Sequence, residues 1–152
     1  MRHAFSLFLA AAILAGIATV AQADVEVRID KSAQRMAVIV DGVQRYSWAV
    51  STGTGGGPPS GQYRPQRLER SWYSRKYGRA PMPHSIFFDE GYAIHGTIHV
   101  SRLGQRASHG CVRLHPANAA TLFNLVRQHG MGNTRILVVS GLAQSPGSNR
   151  GL

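Results

Sequence analysis

Alternating hydrophobic and polar positions dominate the chain and predict a mainly β protein. Residues 25–30 (VEVRID) predict one strand, and residues 35–40 and 43–50 predict a hairpin. The two arms flank Asp41-Gly42, a dipeptide that favours a two-residue turn. The second arm places three large side chains on one face, which we expect to lie in the core: Tyr46, Trp48 and Val50.

Three further strands and one helix are predicted. Residues 86–97 (IFFDEGYAIHGT) predict two short strands with a turn between them, and residues 134–140 (TRILVVS) predict a final buried strand. The one clear helical pattern covers residues 115–130, where Pro116 suits the first turn and Gly130 the C-terminal end. Its apolar residues recur at helical spacing: Ala119, Leu122, Phe123 and Val126.

Two segments follow neither spacing. Residues 51–66 (STGTGGGPPSGQYRPQ) are rich in turn-forming residues and predict a flexible crossover loop. They do not match a phosphate-binding loop, which needs Gly-Lys-Ser/Thr. Residues 68–85 are irregular, basic and aromatic. A long irregular segment inside a compact domain is often a lid or a binding wall, so we expect this one to border a functional site.

The first 23 residues have the pattern of a secretory signal. Arg2 precedes an apolar run that ends in Ala21-Gln22-Ala23, a small-residue cleavage site. An uncleaved membrane anchor is the alternative, but a strand pattern follows the cleavage site at once. We therefore expect cleavage after Ala23, one domain at residues 24–140 and a disordered polar tail at residues 141–152. The protein would be exported to the periplasm or cell envelope, with membrane contact only through the signal segment.

The chain is strongly basic, with 17 Lys and Arg residues against 7 Asp and Glu residues and a formal net charge of +10. An exported basic protein meets anionic lipids, cell-wall polymers or nucleic acid. No recognised nucleic-acid motif is present, so we expect no nucleic-acid partner. A solvated basic surface without a single partner is the alternative.

The chain has one cysteine, Cys111, within ASHGCVRLH. A single cysteine cannot form an internal disulfide, and in an exported protein it indicates intermolecular pairing or a reactive thiol. A small buried apolar residue is the alternative. His109 and Arg113 lie two residues to either side, and His95 lies upstream within AIHGT. These neighbours favour the reactive thiol.

A thiol attacks as the thiolate, and at neutral pH it needs an imidazole to take its proton. His109 lies two residues before Cys111, on the same side of an extended chain, whereas His95 could approach from a neighbouring strand. Spacing alone leaves both histidines open. Gly110 would let its own N–H group and that of Cys111 point at one spot, where they would hold an oxyanion.

Two flanking residues each have two interpretations. Ser108 could orient His109 or the turn by hydrogen bonding, or it could be an ordinary turn residue. Arg113 could hold a substrate carboxylate by paired hydrogen bonds, or it could be a solvated surface arginine. The spacing does not decide between them.

Two other chemistries fit this cluster less well. His95 and His99 have the H-x3-H spacing of a zinc site, but residues 96–98 disfavour the helix that such spacing needs. There is no Glu as in H-E-x-x-H, so we expect no metal. A papain-like hydrolase has its cysteine before its histidine, whereas here His95 precedes Cys111.

The same residues resemble the L,D-transpeptidase (YkuD) catalytic domain. That family carries H-G-T followed by G-x-x-x-S-H-G-C-V-R, and this chain has His95-Gly96-Thr97 and then GQRASHGCVR at residues 104–113. The resemblance extends to PPSGQY and PMP and covers residues 25–140. Two departures are His84, where the family often has an aromatic residue, and Asn118, where an Asp often opens the helix. Asn also caps helices well.

The resemblance implies a β-sandwich-like or partly closed barrel with one helix after the cysteine, and it implies no cofactor. Cys111 would be the nucleophile, and His95 the general base and later acid, oriented by the Gly96 carbonyl. The other implied site residues are His109, Ser108 and Gly110 around the oxyanion pocket, and the carboxylate-binding Arg113.

The activity that the resemblance implies is a peptidoglycan L,D-transpeptidase. Cys111 would attack the carbonyl of the third residue of a tetrapeptide stem, release D-Ala and pass the acyl group to an amine. The product would be a 3→3 cross-link, an exchanged D-amino acid or an attached partner, such as a cell-wall-linked outer-membrane protein. An L,D-carboxypeptidase or wall hydrolase on the same fold, and a non-catalytic wall-binding module, are the alternatives.

Overall fold

Two β-sheets and one α-helix form the domain, and the computed structural model describes residues 23–141 of it. The predicted mainly β fold with one helix after the cysteine is confirmed. The strands are β1 Val25–Asp30, β2 Arg35–Val40, β3 Val43–Ala49, β4 Gly61–Tyr63, β5 Arg67–Glu69, β6 Ser85–Asp89, β7 Tyr92–Gly96, β8 Val112–Leu114 and β9 Thr134–Val139. The helix, α1, spans Pro116–His129, and two short 3₁₀ helices span Val100–Arg102 and Met131–Asn133.

The first sheet has five strands in the order β3-β2-β1-β9-β4. β1 lies in the middle, antiparallel to β2 and parallel to β9, so that Val27 pairs with Val38 on one side and Ile136 on the other. A parallel pair needs a long connection. Here that connection contains the whole second sheet and α1.

The second sheet has four strands in the order β5-β6-β7-β8. β7 and β8 run parallel and pair Ile94 with Val112 and His95 with Arg113. Because successive strand residues point to opposite faces, the first pair faces the main core and the second pair faces away from it. The face turned away from the core is called the cleft face and carries Phe87, Ala93, His95, Cys111 and Arg113. The two sheets do not close into a barrel.

Helix α1 packs against β7, β6 and β1. The four residues that predicted its apolar stripe are the ones that it buries: Ala119, Leu122, Phe123 and Val126. His115 caps the helix, since its Nδ1 accepts the Ala117 N–H at 3.2 Å, and Pro116 occupies the first position. Gly130, with φ of 96°, ends it. Each large apolar side chain buried in this way contributes about 1.5–3 kcal/mol.

Strands β4, β5 and β8 were not predicted. Each has only three residues, which is too short for a period of two to stand out. β4 forms within the predicted loop at residues 51–66 because β9 supplies its hydrogen-bonding partner. Tertiary pairing, rather than local pattern, makes these segments strands.

The expectation that Tyr46 lies in the core is wrong. β3 is an edge strand, and Tyr46 is 37% exposed. Its ring instead stacks on Trp48, with 4.8 Å between the ring centroids. Trp48 packs against the core, and Val50 is fully buried. The alternation therefore predicted Val50 correctly as a core residue and Tyr46 incorrectly.

No helix within residues 23–141 combines the length and the apolar character that crossing a bilayer requires. The predicted signal segment before residue 23 and the predicted tail after residue 141 lie outside the described residues. Cleavage after Ala23 therefore stays a prediction.

Candidate active site

A cleft of about 700 Å³ opens over the cleft face of the second sheet. His95, Cys111 and Arg113 all line it, together with residues from 67–82 and 97–99. The irregular segment at residues 68–85, which was expected to border a functional site, contributes to the wall of this cleft.

Strand register brings the cleft residues together. His95 lies directly opposite Arg113 across the parallel β7–β8 pair, and such strands are about 4.8 Å apart. Cys111 immediately precedes β8, two residues before Arg113, so it shares that face. His95 on β7 and Cys111 just before β8 therefore line the same cleft from neighbouring positions.

His95 is held in one neutral tautomer. Its ring is only 6% exposed, and its Nδ1 lies 2.7 Å from the Gly96 carbonyl oxygen. Because a carbonyl only accepts, Nδ1 carries the proton and Nε2 keeps a free lone pair. Burial lowers the pKa of His95 to about 4, with the Gly96 hydrogen bond opposing and the Arg113 charge reinforcing that shift. At neutral pH this imidazole is an uncharged base.

The Cys111 thiol is likewise uncharged at rest. Its Sγ lies 3.7 Å from the Gly91 carbonyl oxygen. Burial raises the pKa of Cys111 above its ordinary value, although the backbone of Ala93 and the charge of Arg113 act in the opposite direction. The site thus holds a neutral thiol and a neutral imidazole, so a thiol acting there as a nucleophile would have to lose its proton as it attacks.

Ser108 fixes the turn that carries the cysteine. Its hydroxyl donates to the Cys111 carbonyl at 2.6 Å and accepts the Gly110 N–H at 3.0 Å. Gly110 has φ of 145°, and a Cβ there would lie 2.9 Å from a ring carbon of Tyr92. The expectation that the Gly110 N–H faces an oxyanion differs from this structure, because Ser108 already accepts that N–H.

His109 points along the cleft wall. It is exposed, and its ring stacks on Tyr77 with 4.3 Å between centroids and 14° between planes. The argument that His109 and Cys111 share a face assumed an extended strand, whereas residues 109–111 form a bend around Gly110. Tyr77 and His109 both line the cleft that contains the thiol.

Arg113 is half-buried and anchored by one hydrogen bond, from Nη1 to the Ala107 carbonyl at 3.2 Å. Within residues 23–141, no carboxylate lies within ion-pair distance of it. Its remaining donors can therefore hold an anionic group in the cleft.

The turn at residues 108–111, called the cysteine turn, is supported from behind by hydrogen bonds that the sequence did not predict. Gln34 Oε1 accepts the Thr52 N–H at 2.9 Å, while its Nε2 donates to Thr52 Oγ1 at 2.6 Å and to the Lys31 carbonyl at 2.7 Å. The Thr52 carbonyl in turn accepts the N–H groups of Ala107 and Ser108, both at 3.0 Å. Gln34 thus positions the cysteine turn through Thr52.

The glycine-rich segment at residues 51–58 packs tightly against the same turn. A Cβ on Gly53 would lie 2.9 Å from the Gly110 Cα, so only glycine permits this approach. Buried Lys31 donates from Nζ to the Gly56 carbonyl at 2.9 Å. The expectation of a flexible crossover loop is wrong here, because these contacts fix the segment.

The family model described as the L,D-transpeptidase catalytic domain (YkuD) matches residues 24–139. The chain belongs to the L,D-transpeptidase family. The resemblance drawn from the S-H-G-C-V-R motif is therefore confirmed over nearly the whole described domain. No curated protein matches the chain.

Solved structures share this L,D-transpeptidase fold. An L,D-transpeptidase from Mycobacterium smegmatis has a TM-score of 0.67 and 25% identity, covering 77% of this chain and 59% of that one. One from Xylanimonas cellulosilytica has a TM-score of 0.67 and 25% identity, with 78% and 62% covered. L,D-transpeptidase 3 from Mycobacterium tuberculosis, in complex with a faropenem-derived adduct, has 0.65 and 20%, with 76% and 60% covered. This chain spans less than two thirds of the length of these structures.

The remaining histidines near this catalytic domain's cysteine have separate positions. His115 caps α1, and His99 is exposed at the start of a 3₁₀ helix and borders the cleft. Among residues 23–141, no three His, Cys, Asp or Glu side chains come together in a way that could hold a metal ion.

Proposed function

We propose that this chain is a peptidoglycan L,D-transpeptidase in which Cys111 is the nucleophile and His95 the general base. The observation that carries the proposal is the His95 tautomer, whose free Nε2 lines the same cleft as the thiol. Membership of the family supports the choice of substrate class. The signal segment predicted at residues 1–23 would direct the protein to the periplasm or cell envelope, where the donor would be a tetrapeptide stem.

The first half-reaction forms a thioester. As Sγ of Cys111 attacks the carbonyl carbon of the third stem residue, Nε2 of His95 takes the thiol proton. The resulting tetrahedral intermediate collapses, the C–N bond to the terminal D-Ala breaks, and His95 returns the proton to the leaving amine. Once protonated, a histidine with a pKa of about 4 is a stronger acid than an ordinary imidazolium, so it readily returns this proton.

Arg113 and the cysteine turn act on the charges of the substrate. Arg113 has free donors that face the cleft, and we propose that they hold a stem carboxylate. The negative charge on the tetrahedral intermediate would lie near His109 and the Cys111 backbone. Ser108 would keep that turn in place through its two hydrogen bonds.

The second half-reaction passes the acyl group to an amine. The amine nitrogen attacks the thioester, the C–S bond breaks, and the amine proton reaches the sulfur through His95. A stem amine would give a 3→3 cross-link, a free D-amino acid would give exchange, and a protein amine would give attachment. Water in place of the amine would make the protein an L,D-carboxypeptidase, which is the main alternative.

Mass spectrometry of the protein with a disaccharide-tetrapeptide and an amine tests the proposal. We expect a Cys111 adduct, release of D-Ala and a new amide product. Cys111→Ala should abolish all three while leaving stem binding in place. If the unsubstituted protein binds stems without releasing D-Ala, it is a wall-binding module and the proposal fails. A carbapenem that still acylates Cys111 would show instead that the thiol is competent and the donor wrong.

A further inference from the structure

We infer that Glu90 forms an ammonium subsite that recruits the acceptor amine. This inference rests on the proposed function and specifies its second half-reaction. Glu90 lines the same cleft as Cys111. It directly precedes Gly91, whose carbonyl oxygen lies 3.7 Å from the Cys111 sulfur. A group bound by this carboxylate would therefore share the cleft with the thioester.

The charge of the cleft makes this position distinctive. The other formally charged side chains that line the cleft are all cationic: Arg67, Arg75, Lys76 and Arg113. Such a surface attracts the carboxylates of the donor but repels an amine, which is protonated at neutral pH. Glu90 is the one carboxylate among the lining residues. It offsets that repulsion where the amine is needed.

The Glu90 carboxylate also has no partner among residues 23–141. Its side chain is exposed, and it makes no hydrogen bond or ion pair with any residue in the range 23–141. By contrast, Glu69 pairs with Arg67 and Glu26 pairs with Arg135. The Glu90 carboxylate is therefore free to bind an ammonium group from the substrate.

The acceptor class that fits is a primary amine carried on a flexible arm, such as a side-chain ammonium. An ammonium held at Glu90 gives one proton to solvent and attacks the thioester carbon as the free amine. The C–S bond then breaks, and the second amine proton passes through Nε2 of His95 to the Cys111 sulfur. An acceptor without a positive charge gains nothing from Glu90. The subsite therefore predicts selectivity for amines over water and over uncharged nucleophiles.

The test uses the full chain, a disaccharide-tetrapeptide donor and Nα-acetyl-lysine amide as the acceptor probe. The quantity measured is the ratio of amide product to hydrolysed product. Release of D-Ala counts the turnovers that the two products share. We expect Glu90→Gln to lower this ratio about two- to fivefold, the size of an exposed charge pair. The loss should shrink at high salt. When the acceptor is hydroxylamine, which is uncharged at neutral pH, Glu90→Gln and the unsubstituted protein should give the same ratio of acceptor product to hydrolysed product.

Asp41→Asn is the matched control, because Asp41 is also an exposed acidic residue with positive φ before a glycine in a hairpin turn. It lies outside the cleft lining, so its ratio should not change. An unchanged ratio in Glu90→Gln, or an equal loss with hydroxylamine, overturns the subsite alone. Release of D-Ala with only hydrolysed product also overturns it. No D-Ala release by the unsubstituted protein overturns the proposed function itself.

Discussion

The two faces of the second sheet differ sharply although the same strands supply both. The core face carries five apolar side chains that are at most 1% exposed: Ile86, Phe88, Ile94, Val112 and Leu114. The cleft face mixes apolar residues with the imidazole, the thiol and the guanidinium. Alternation along a strand thus places stability on one side and chemistry on the other. Substitutions on the two faces should therefore affect different measurements.

The largest effect is expected at Cys111, the proposed nucleophile. Cys111→Ser should reduce D-Ala release at least about 10³-fold, because a hydroxyl is a far weaker nucleophile at neutral pH. The free energy of unfolding should change by no more than about 1 kcal/mol. Urea unfolding monitored by tryptophan fluorescence, alongside the D-Ala assay, checks both. A variant that keeps its turnover would remove Cys111 from the mechanism.

The opposite result is expected on the core face. Ile86→Ala should lower the free energy of unfolding by about 2–5 kcal/mol, since it leaves a cavity in a packed core. Turnover per folded molecule should stay close to that of the unsubstituted protein, because Ile86 does not line the cleft. Denaturant titration and single-turnover assays on the folded fraction separate the two. A loss of turnover without a loss of stability would contradict the division between faces.

His95 lies on the cleft face, but its protonation should also affect the stability of the domain. Its folded-state pKa of about 4 lies below the ordinary value of 6.5, so the unfolded chain binds a proton that the folded chain excludes. Stability should therefore fall as pH drops from about 6.5 to about 4, by roughly 3 kcal/mol in total. His95→Gln should lack this part of the pH dependence. Unfolding curves across that range measure it, and parallel curves for the two proteins would show that His95 is not the cause.

Substitution of Gln34, which supports the cysteine turn through Thr52, should have a smaller effect that falls on both stability and turnover. Gln34→Met keeps the side-chain volume but removes the hydrogen bonds to Thr52, which should cost about 1–3 kcal/mol of stability. We expect kcat to fall more than KM rises, because the thiol is displaced while the cleft wall remains. Gln128→Met, on the exposed side of α1, is the control. Equal changes in kcat and KM would reduce Gln34 to a structural role.

Much of the fold follows from local sequence. β1, β2, β3, β6, β7, β9 and α1 were predicted because each carries a clear period of two or 3.6. The shortest strands were missed because their partners, rather than their own residues, define them. The Gln34–Thr52 contact joins residues 18 apart through a left-handed turn at Gln34. Nothing in the local pattern of either residue indicates it.

The candidate site was predicted in part. Spacing alone left both His95 and His109 open, and only the family resemblance singled out His95 as the expected partner of Cys111. In the structure, strand register places His95 and Cys111 on the cleft face. The direction of His109 could not be predicted, because it depends on a backbone bend at Gly110 and on a stacking partner, Tyr77, in a distant segment. Long-range contacts of this kind leave no periodic signal.

The pairing of β1 with β9 has a consequence for how the domain is made. Glu26 of β1 and Arg135 of β9 form an ion pair although they are 109 residues apart. β1 comes first in the chain, yet this central strand of the first sheet lacks one neighbour until β9 joins it. Such long-range pairing slows folding. The first sheet therefore stays incomplete until β9 pairs with β1, and a chain cut before β9 should fail to fold and be degraded by proteases.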